Sequence, residues 1–551
     1  MWKKLFGSTP DRAPARDPAG SRSAAEALLA QARSAYERGQ LDAGAQLAEQ
    51  ALAQSHDLAQ AHLLLGLIHR KNRRWEDAAD CFNLAACFDA GRAEADYQLG
   101  LIALQRGDAA EAQHAFEKAV LVQPGHADAR VNLGKLLLDQ GRHEQAAEHF
   151  ERAVTVYPHH AQALSNLGFV LLKGFDRPDE ALARIDEAIR ADPALADAHC
   201  NRGMVLQYLG RCEEAVAACD RALEIEPGMA EARLNRALAL LMMGDFARGW
   251  PEYEVRKRLH RSLQRPFPAA EWTGEPLDGK TLLVYAEQGL GDEIMFASCL
   301  PEVLARAGRC VIESHLKLER LFARSFPAAM VIGADQGSDD LGWLERAPPP
   351  DCKVAIGSLP RHLRTSHGSF PRHDGYLRAD PGRVAYWRAR LAALGAGPKI
   401  GLSWRGGSAS SKQIYRSVAL SGLLPLFRLS GMHFVSLQYT DCAAEMAALQ
   451  AEHGVHVHHW QEAISDYDET AALVSALDQV VSVQTAVVHL AGALGRPVWA
   501  MVPAAPEWRY QRSGERLPWY PTLRLFRQST LGEWRDVVER LRVELSPAGP
   551  G

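Results

Sequence analysis

Between residues 25 and 229 the apolar positions follow helical spacing, and the whole pattern then repeats. Leu99-Gly100, Leu133-Gly134 and Leu167-Gly168 stand 34 residues apart, and Arg202-Gly203 follows after 35. Behind Gly100 and Gly134 come Ala112 and Ala146, Phe116 and Phe150, Ala119 and Ala153, then Pro124 and Pro158. Small residues let two helices approach, Phe fills the gap between units, and Pro stops the second helix. The frame extends back through Gly66, Ala78, Phe82 and Ala85 to Ala32 and Ala48, and forward to Gly203, Ala215, Ala222 and Pro227. Six helix pairs are expected over 25–229, one of them carrying an extra residue within 173–178. A seventh begins at Ala230 and drifts into Trp250-Pro251-Glu252-Tyr253, which reads as a cap and junction.

After about residue 264 the period changes. A Pro-containing joint leads to a continuous apolar run at 281–286. Further short runs follow at 310–313, 353–356, 400–404, 433–437, 455–458, 480–483 and 498–502, alternating with helical stretches. Alternation of this kind predicts parallel sheets with crossover helices. Two such blocks, divided near 395–398, predict two doubly wound domains facing a cleft, with ligands at the strand carboxyl ends. The expected organisation is a flexible lead (1–24), a repeat array (25–263), a first Rossmann-like domain (264–395) and a second (396–551).

Composition narrows the partners. Sixty-two Lys and Arg against 67 Asp and Glu leave a net charge of −5, without the basic field that recruits nucleic acid. Nine Cys, odd in number and without a Cys-x-x-Cys pair, predict neither a disulfide framework nor a zinc site. The first twenty residues lack a signal-peptide apolar run, and no stretch reaches the roughly 18 apolar residues of a membrane span. A cytoplasmic protein is expected.

The amino-terminal pattern resembles the tetratricopeptide repeat. In such an array the first helices of successive units line one groove, and their sixth positions here are Gln98, Asn132, Asn166, Asn201 and Asn235. An amide both donates and accepts, so this ladder can hold the backbone of an extended acceptor polypeptide. It can equally brace its own helices. The array is similar to that of protein O-GlcNAc transferases, in which a comparable asparagine ladder holds acceptor polypeptides.

Three motifs in the second half carry candidate chemistry. The first, Glu287-Gln288-Gly289-Leu290-Gly291-Asp292, follows the opening strand and precedes a helix. Its glycines allow close backbone approach, and Asp292 either projects a carboxylate into the cleft or caps the helix. The second follows strand 399–404, ending in Trp404, and runs from Arg405 through a Gly/Ser loop to Lys412, Arg416 and Ser417, a donor-rich loop suited to phosphate. The third runs from Gln484-Thr485-Ala486 to His489, where amides at a helix start can hold an anion. His489 is then either a ligand contact or a core hydrogen-bonder.

Together these motifs resemble the bacterial heptosyltransferase-like glycosyltransferases. The resemblance implies the GT-B arrangement of two Rossmann-like sheets around a cleft and a nucleotide-sugar donor bound without metal or cofactor. It also implies Asp292 as the base for the acceptor hydroxyl, and donor contacts from Gly289, Gly291, Trp404, Arg405, Lys412, Arg416, Ser417, Thr485, Ala486 and His489. Gln438 and Tyr439, at the end of another strand, are implied as a rest for base or ribose. The family carries an acidic residue where Gln484 stands, which bears on donor choice and activity.

Pro506-Glu507-Trp508-Arg509 and Leu517-Pro518-Trp519-Tyr520 form an aromatic-rich loop, for the cleft or for packing. Asp466-Tyr467-Asp468 and the alternating His456, His458 and His459 are assigned no metal. The fold class expected is an all-α tetratricopeptide superhelix followed by an α/β GT-B pair. The function expected is sugar transfer to a protein hydroxyl. The alternatives are a peptide-binding scaffold with a degenerate transferase domain, or a transferase acting on a glycan or lipid.

Overall fold

The computed structural model describes residues 18–88, 92–259, 263–287, 289–335, 340–407 and 415–546. These fall into two compact units, Met1–Ala198 and His199–Gly551.

The first unit is a run of helix pairs: Pro18–Glu37 with Leu41–Gln54, Ala59–Lys71 with Trp75–Ala86, Arg92–Arg106 with Ala109–Val122, Ala127–Asp139 with His143–Val156, and Ala161–Phe175 with Pro178–Ala191. The first helix starts inside the stretch expected as a lead. The Gly and Phe of the repeat pattern meet face to face. A Cβ on Gly66, Gly100 or Gly134 would stand 2.6, 2.5 or 2.6 Å from a ring carbon of Phe82, Phe116 or Phe150. All three rings are fully buried. In the fifth pair Ile185 takes the place of Phe against Gly168. That pair absorbs its extra residue at a tight turn, where Asp176 takes a left-handed φ of 54° just before Pro178 opens the next helix.

Successive repeats are also tied by histidines. His126 and His160 each cap a helix, accepting from Ala129 N (3.2 Å) and Ala163 N (3.3 Å) through Nδ1. Each reaches back through Nε2 to the preceding repeat, to Glu94 at 3.3 Å and Asp128 at 3.2 Å.

The second unit opens with two more helix pairs, Ala196–Tyr208 with Cys212–Ile225 and Ala230–Met243 with Phe246–Tyr253. Two five-stranded parallel sheets follow, completing the expected order of helical array and α/β pair. The first has the order β1 (Ala270–Glu271), β5 (Cys352–Ala355), β2 (Thr281–Tyr285), β3 (Arg309–His315), β4 (Met330–Ala334). The second has β10 (Leu523–Arg527), β9 (Val498–Val502), β8 (Gln479–Val483), β6 (Lys399–Ser403), β7 (His433–Ser436). The central strands β2, β6 and β8 are buried almost throughout, which is why they read as unbroken apolar runs. The expected strand at 455–458 is reduced to a single bridge, Val435 with His458, on the outer edge of β7.

The last helix pair is built into the α/β part. Trp250 is fully buried, donates its indole N–H to Arg364 O (2.9 Å), and packs edge-on against Phe296, Trp508 and Trp519. The short helix Arg256–Leu259 then delivers Arg256 to Glu287, with Nε to Oε2 at 2.9 Å and Nη2 to Oε1 at 2.6 Å. Burial opposes the charge on this guanidinium. The Glu287 carboxylate outweighs burial and holds its pKa above the ordinary arginine value. Glu287 Oε1 also accepts from Gly357 N (2.6 Å), so this buried pair pins the root of the glycine motif to the neighbouring strand's loop.

Candidate functional site

The carboxyl ends of β2, β6, β7 and β8 open on one cleft of about 490 Å³. From the first sheet it receives Leu290, Gly291, Asp292 and Lys317. From the second come Gly407, Arg416, Leu437, Tyr439 and the run Gln484 to Val487 with His489. Glu507, Arg509 and Tyr510, with Ile464, Ser465, Tyr467 and Thr470, complete the wall.

Gly291 sits where the helix Leu290–Phe296 crosses the helix Ala486–Ala493. A side chain there would stand 3.1 Å from His489 Cδ2 and 3.4 Å from Ala486 Cα. This close crossing brings the first and third motifs together. Asp292 lies in the first turn, with Gly289 at the N-cap, so its carboxylate is not the cap. Both its oxygens are held by Arg509: Nε donates to Oδ1, and Nη2 to Oδ2 at 2.6 Å. Burial opposes the Arg509 charge, and Asp292 more than offsets it, leaving the guanidinium pKa above its usual value.

Arg416 donates through Nη2 to Gln484 O at 2.5 Å and pairs through Nη1 with Glu507 Oε1 at 3.5 Å. The other oxygen of Glu507 lies 3.7 Å from Arg509 Nη1. One carboxylate therefore stands between two guanidinium groups. Thr485 is the N-cap of Ala486–Ala493. Its hydroxyl accepts from Val487 N (3.3 Å) and lies 3.0 Å from Ser482 Oγ, so part of its capacity is spent inside the protein. The amide of Gln484, 1% exposed on the cleft wall, has neither its Nε2 nor its Oε1 hydrogen-bonded among the described residues. A buried amide left with both ends unpaired is costly, and this one borders the cleft.

His489 is buried between two tyrosines, 3.0 Å from Tyr520 Oη through Nδ1 and 3.4 Å from Tyr510 Oη through Nε2. Burial, with Arg509 and Arg416 adding to it, pushes its pKa down to about 3, so the ring is neutral near pH 7. It lines the cleft and is also a core hydrogen-bonder.

Several residues expected to touch a ligand lie behind the wall. Trp404 is fully buried in the second core. Gln438 is fully buried too, and its amide clamps the second motif: Oε1 accepts from Trp404 N (3.2 Å) and Arg405 N (3.0 Å), and Nε2 donates to Arg405 O (3.2 Å). Arg405 turns outward to Asp441 O and to Glu445 at 2.8 Å. Ser417 braces the loop, accepting from Gly406 N at 3.3 Å. Gly289 does not line the cleft, whereas Tyr439 does and is half exposed. Lys412 lies outside the described residues.

Asp466 caps the helix Tyr467–Ala476 and pairs with Arg320, while Asp468 is held by Arg324 at 2.8 and 2.7 Å. Among the described residues no three His, Cys, Asp or Glu side chains converge as for a metal. The aromatic-rich loop does both things considered for it: Trp508 and Trp519 pack on Trp250 and Phe296, and Glu507, Arg509 and Tyr510 face the cleft. Lys317 was not expected at the site, and Glu507 and Arg509 were placed in that loop without a role of their own. The motif containing Arg509 was visible, but its partner lies 217 residues away in sequence.

The amide positions of the array are spent mainly on their own helices. In the first unit Gln98 Nε2 donates to Glu94 (2.7 Å), Asn132 Nδ2 to Asp128 O (2.9 Å), and Asn166 Oδ1 accepts from Gln162 (3.3 Å). Gln98 Oε1 and Asn166 Nδ2 remain buried without partners among the described residues. In the second unit Asn235 Nδ2 lies 3.5 Å from Cys200 Sγ, and Asn201 sits on the helix Ala196–Tyr208.

The chain matches the tetratricopeptide repeat family over 29–95, 97–161 and 131–196, and again over 196–229. The amino-terminal half is a tetratricopeptide repeat array. Protein FlbA of Caulobacter vibrioides is 35% identical over 321 residues, an overlap of 55% of this chain and 53% of FlbA. The chain thus spans about half the length of the curated relative it matches. Among solved structures, YrrB, described as a tetratricopeptide protein with an unusual peptide-binding site, is 25% identical over 34% of this chain and 95% of its own, with a TM-score of 0.28. PilF of Pseudomonas aeruginosa is 18% identical over 40% and 99%, with a TM-score of 0.36. Among the described residues no helix is long and apolar enough to cross a membrane.

Proposed function

We propose that the chain is a glycosyltransferase, moving a sugar from a nucleotide-sugar donor to a hydroxyl on a polypeptide held by the tetratricopeptide groove. One observation carries this reading. A carboxylate, two arginines, a helix amino terminus and an unsatisfied buried amide converge at the carboxyl ends of two parallel sheets. Open α/β sheets bind their ligands at that position, and helix-end amides with arginines suit a phosphate.

In this mechanism the acceptor hydroxyl gives its proton to Asp292 while its oxygen forms a bond to the anomeric carbon. The bond from that carbon to the donor phosphate oxygen breaks, and its electron pair leaves with the nucleotide. Arg416 and the amides at Thr485 and Ala486 meet the charge that develops there. The unpartnered Gln98 Oε1 and Asn166 Nδ2 support a peptide in the groove, because an extended backbone offers the donor and acceptor they lack.

Calorimetric titration with UDP, GDP, ADP and CMP tests the donor half. One nucleotide should bind with a micromolar Kd and lose about tenfold or more in Arg416→Ala, the order of a lost charge-assisted contact. A Ser/Thr peptide array should lose its signal in Asn132→Ala/Asn166→Ala/Asn201→Ala while nucleotide affinity stays. Failure of all four nucleotides to bind would overturn the transferase reading and leave a peptide-binding scaffold.

A further inference from the structure

The bidentate pair between Asp292 and Arg509 conflicts with the role of Asp292 as a base. Protonating a carboxylate whose two oxygens accept from a guanidinium removes the charge that strengthens both bonds and strands the guanidinium charge beside a neutral acid. For Asp292 to act, Arg509 must find another anion, since removing one partner from a desolvated pair leaves the other charge uncompensated.

The surroundings of Arg509 fix where that anion would be. Its backbone is anchored on both sides: Trp508 is buried against Trp250, Tyr253 and Phe296, and Tyr510 is buried beside His489. Any movement is therefore left to the side chain, whose guanidinium lies 4.9 Å from the centre of the Trp508 ring. Glu507 touches both Arg416 and Arg509, so the two guanidinium groups already flank one anionic group. Lys317 and the amino terminus of Ala486–Ala493 face the same cleft, and the orphaned Gln484 amide marks it independently as a place for a polar ligand.

We propose that Arg509 is a donor-phosphate ligand that holds Asp292 until the donor arrives. The nucleotide phosphate draws the guanidinium away from Asp292 and towards Arg416, and the carboxylate is then free to take the acceptor proton. Donor binding thereby precedes activation of the acceptor, and the base is withheld from water while no donor is present. This inference rests on the transferase reading.

The decisive measurement is a double-mutant cycle on nucleotide affinity, read by calorimetry with UDP, GDP, ADP and CMP. Asp292→Asn keeps the shape but releases Arg509, so the nucleotide that binds the wild type should bind about tenfold more tightly. That is the factor expected when the competent state is about one tenth populated. Arg509→Ala should weaken binding about tenfold, and the double variant should match Arg509→Ala, with the gain from Asp292→Asn abolished. Unchanged or weaker binding in Asp292→Asn would overturn the proposal while leaving the transferase reading intact. No nucleotide binding in any of the proteins would overturn both. Wild-type fluorescence supplies a readout independent of whether Asp292→Asn folds. A saturating nucleotide should change an emission component that is missing in Trp508→Phe, and no such change would overturn the movement of Arg509.

Discussion

Replacing Arg256 by Met tests how the glycine motif is held. The wild-type guanidinium is 1% exposed and makes five polar contacts: two with Glu287, and one each with Ser358 Oγ (3.0 Å), Tyr253 O (3.2 Å) and Glu254 (2.9 Å). Met fills much the same volume without charge. Glu287 is then left buried with a single described donor, Gly357 N. Breaking a buried pair from one side costs about 3–5 kcal/mol, most of it the penalty of the stranded charge. Removing that charge as well, in Arg256→Met/Glu287→Leu, should recover part of the loss. Gly357 N–H then goes unpaired, which retains about 1–3 kcal/mol. Urea unfolding followed by tryptophan fluorescence reads both numbers, since Trp250, Trp508 and Trp519 all lie in this unit. A cost below about 1 kcal/mol for Arg256→Met, the scale of an exposed ion pair, would refute the claim that Glu287 is desolvated. A double variant less stable than the single would refute the stranded-charge argument.

Two other outcomes follow from the cleft. His489 has a folded pKa near 3 against an ordinary 6.5, so between those values the unfolded chain binds a proton that the folded chain refuses. Stability is therefore present above about pH 6.5 and falls by up to about 1.4 kcal/mol per pH unit on acidification through that window. His489→Gln should flatten the dependence of Tm on pH between about 5 and about 6.5, and an unchanged slope would count against a buried neutral histidine. In Gly406→Ala the new Cβ would meet Gln484 O at 2.9 Å and Thr485 Cγ2 at 3.0 Å. The second motif is thereby forced off the third, and nucleotide affinity should fall about ten- to a hundredfold at a stability cost of about 1–3 kcal/mol. Wild-type affinity in that variant would show that the two loops do not act together.

What could be read from the sequence follows from whether the cause is local. The Gly–Phe contacts of the repeats recur every 34 residues because each unit solves the same packing problem, so the pattern exposed them. Strands β2, β6, β8 and β9 were legible because burial on both faces makes them continuous apolar runs. The edge strand β4 is interrupted by Gly333, β10 alternates Leu and Arg, and β1 has only two residues, so none gave such a run. At the site, Gly291, Asp292, Thr485 and Ala486 were legible because strand ends and helix starts position them. Trp404 and Gln438 also stand at strand ends, but they turn into the core and onto the loop backbone, and sequence spacing does not encode that choice. Arg509 was legible only as part of an aromatic-rich loop, and its pairing was not, because the partner carboxylate comes from the other sheet's half.

The merging of the last two helix pairs with the α/β part has a consequence for how such a chain can change. Trp250 and Arg256 belong to the terminal segment of the array, yet they support the cleft from beneath. That terminal segment is therefore constrained by the chemistry next to it. The five pairs before Ala198 form the first unit, in which successive helices pack by one repeating pattern. Whole repeats can be gained or lost there, changing the length of the array, while the cleft and its supporting tryptophan keep their own contacts.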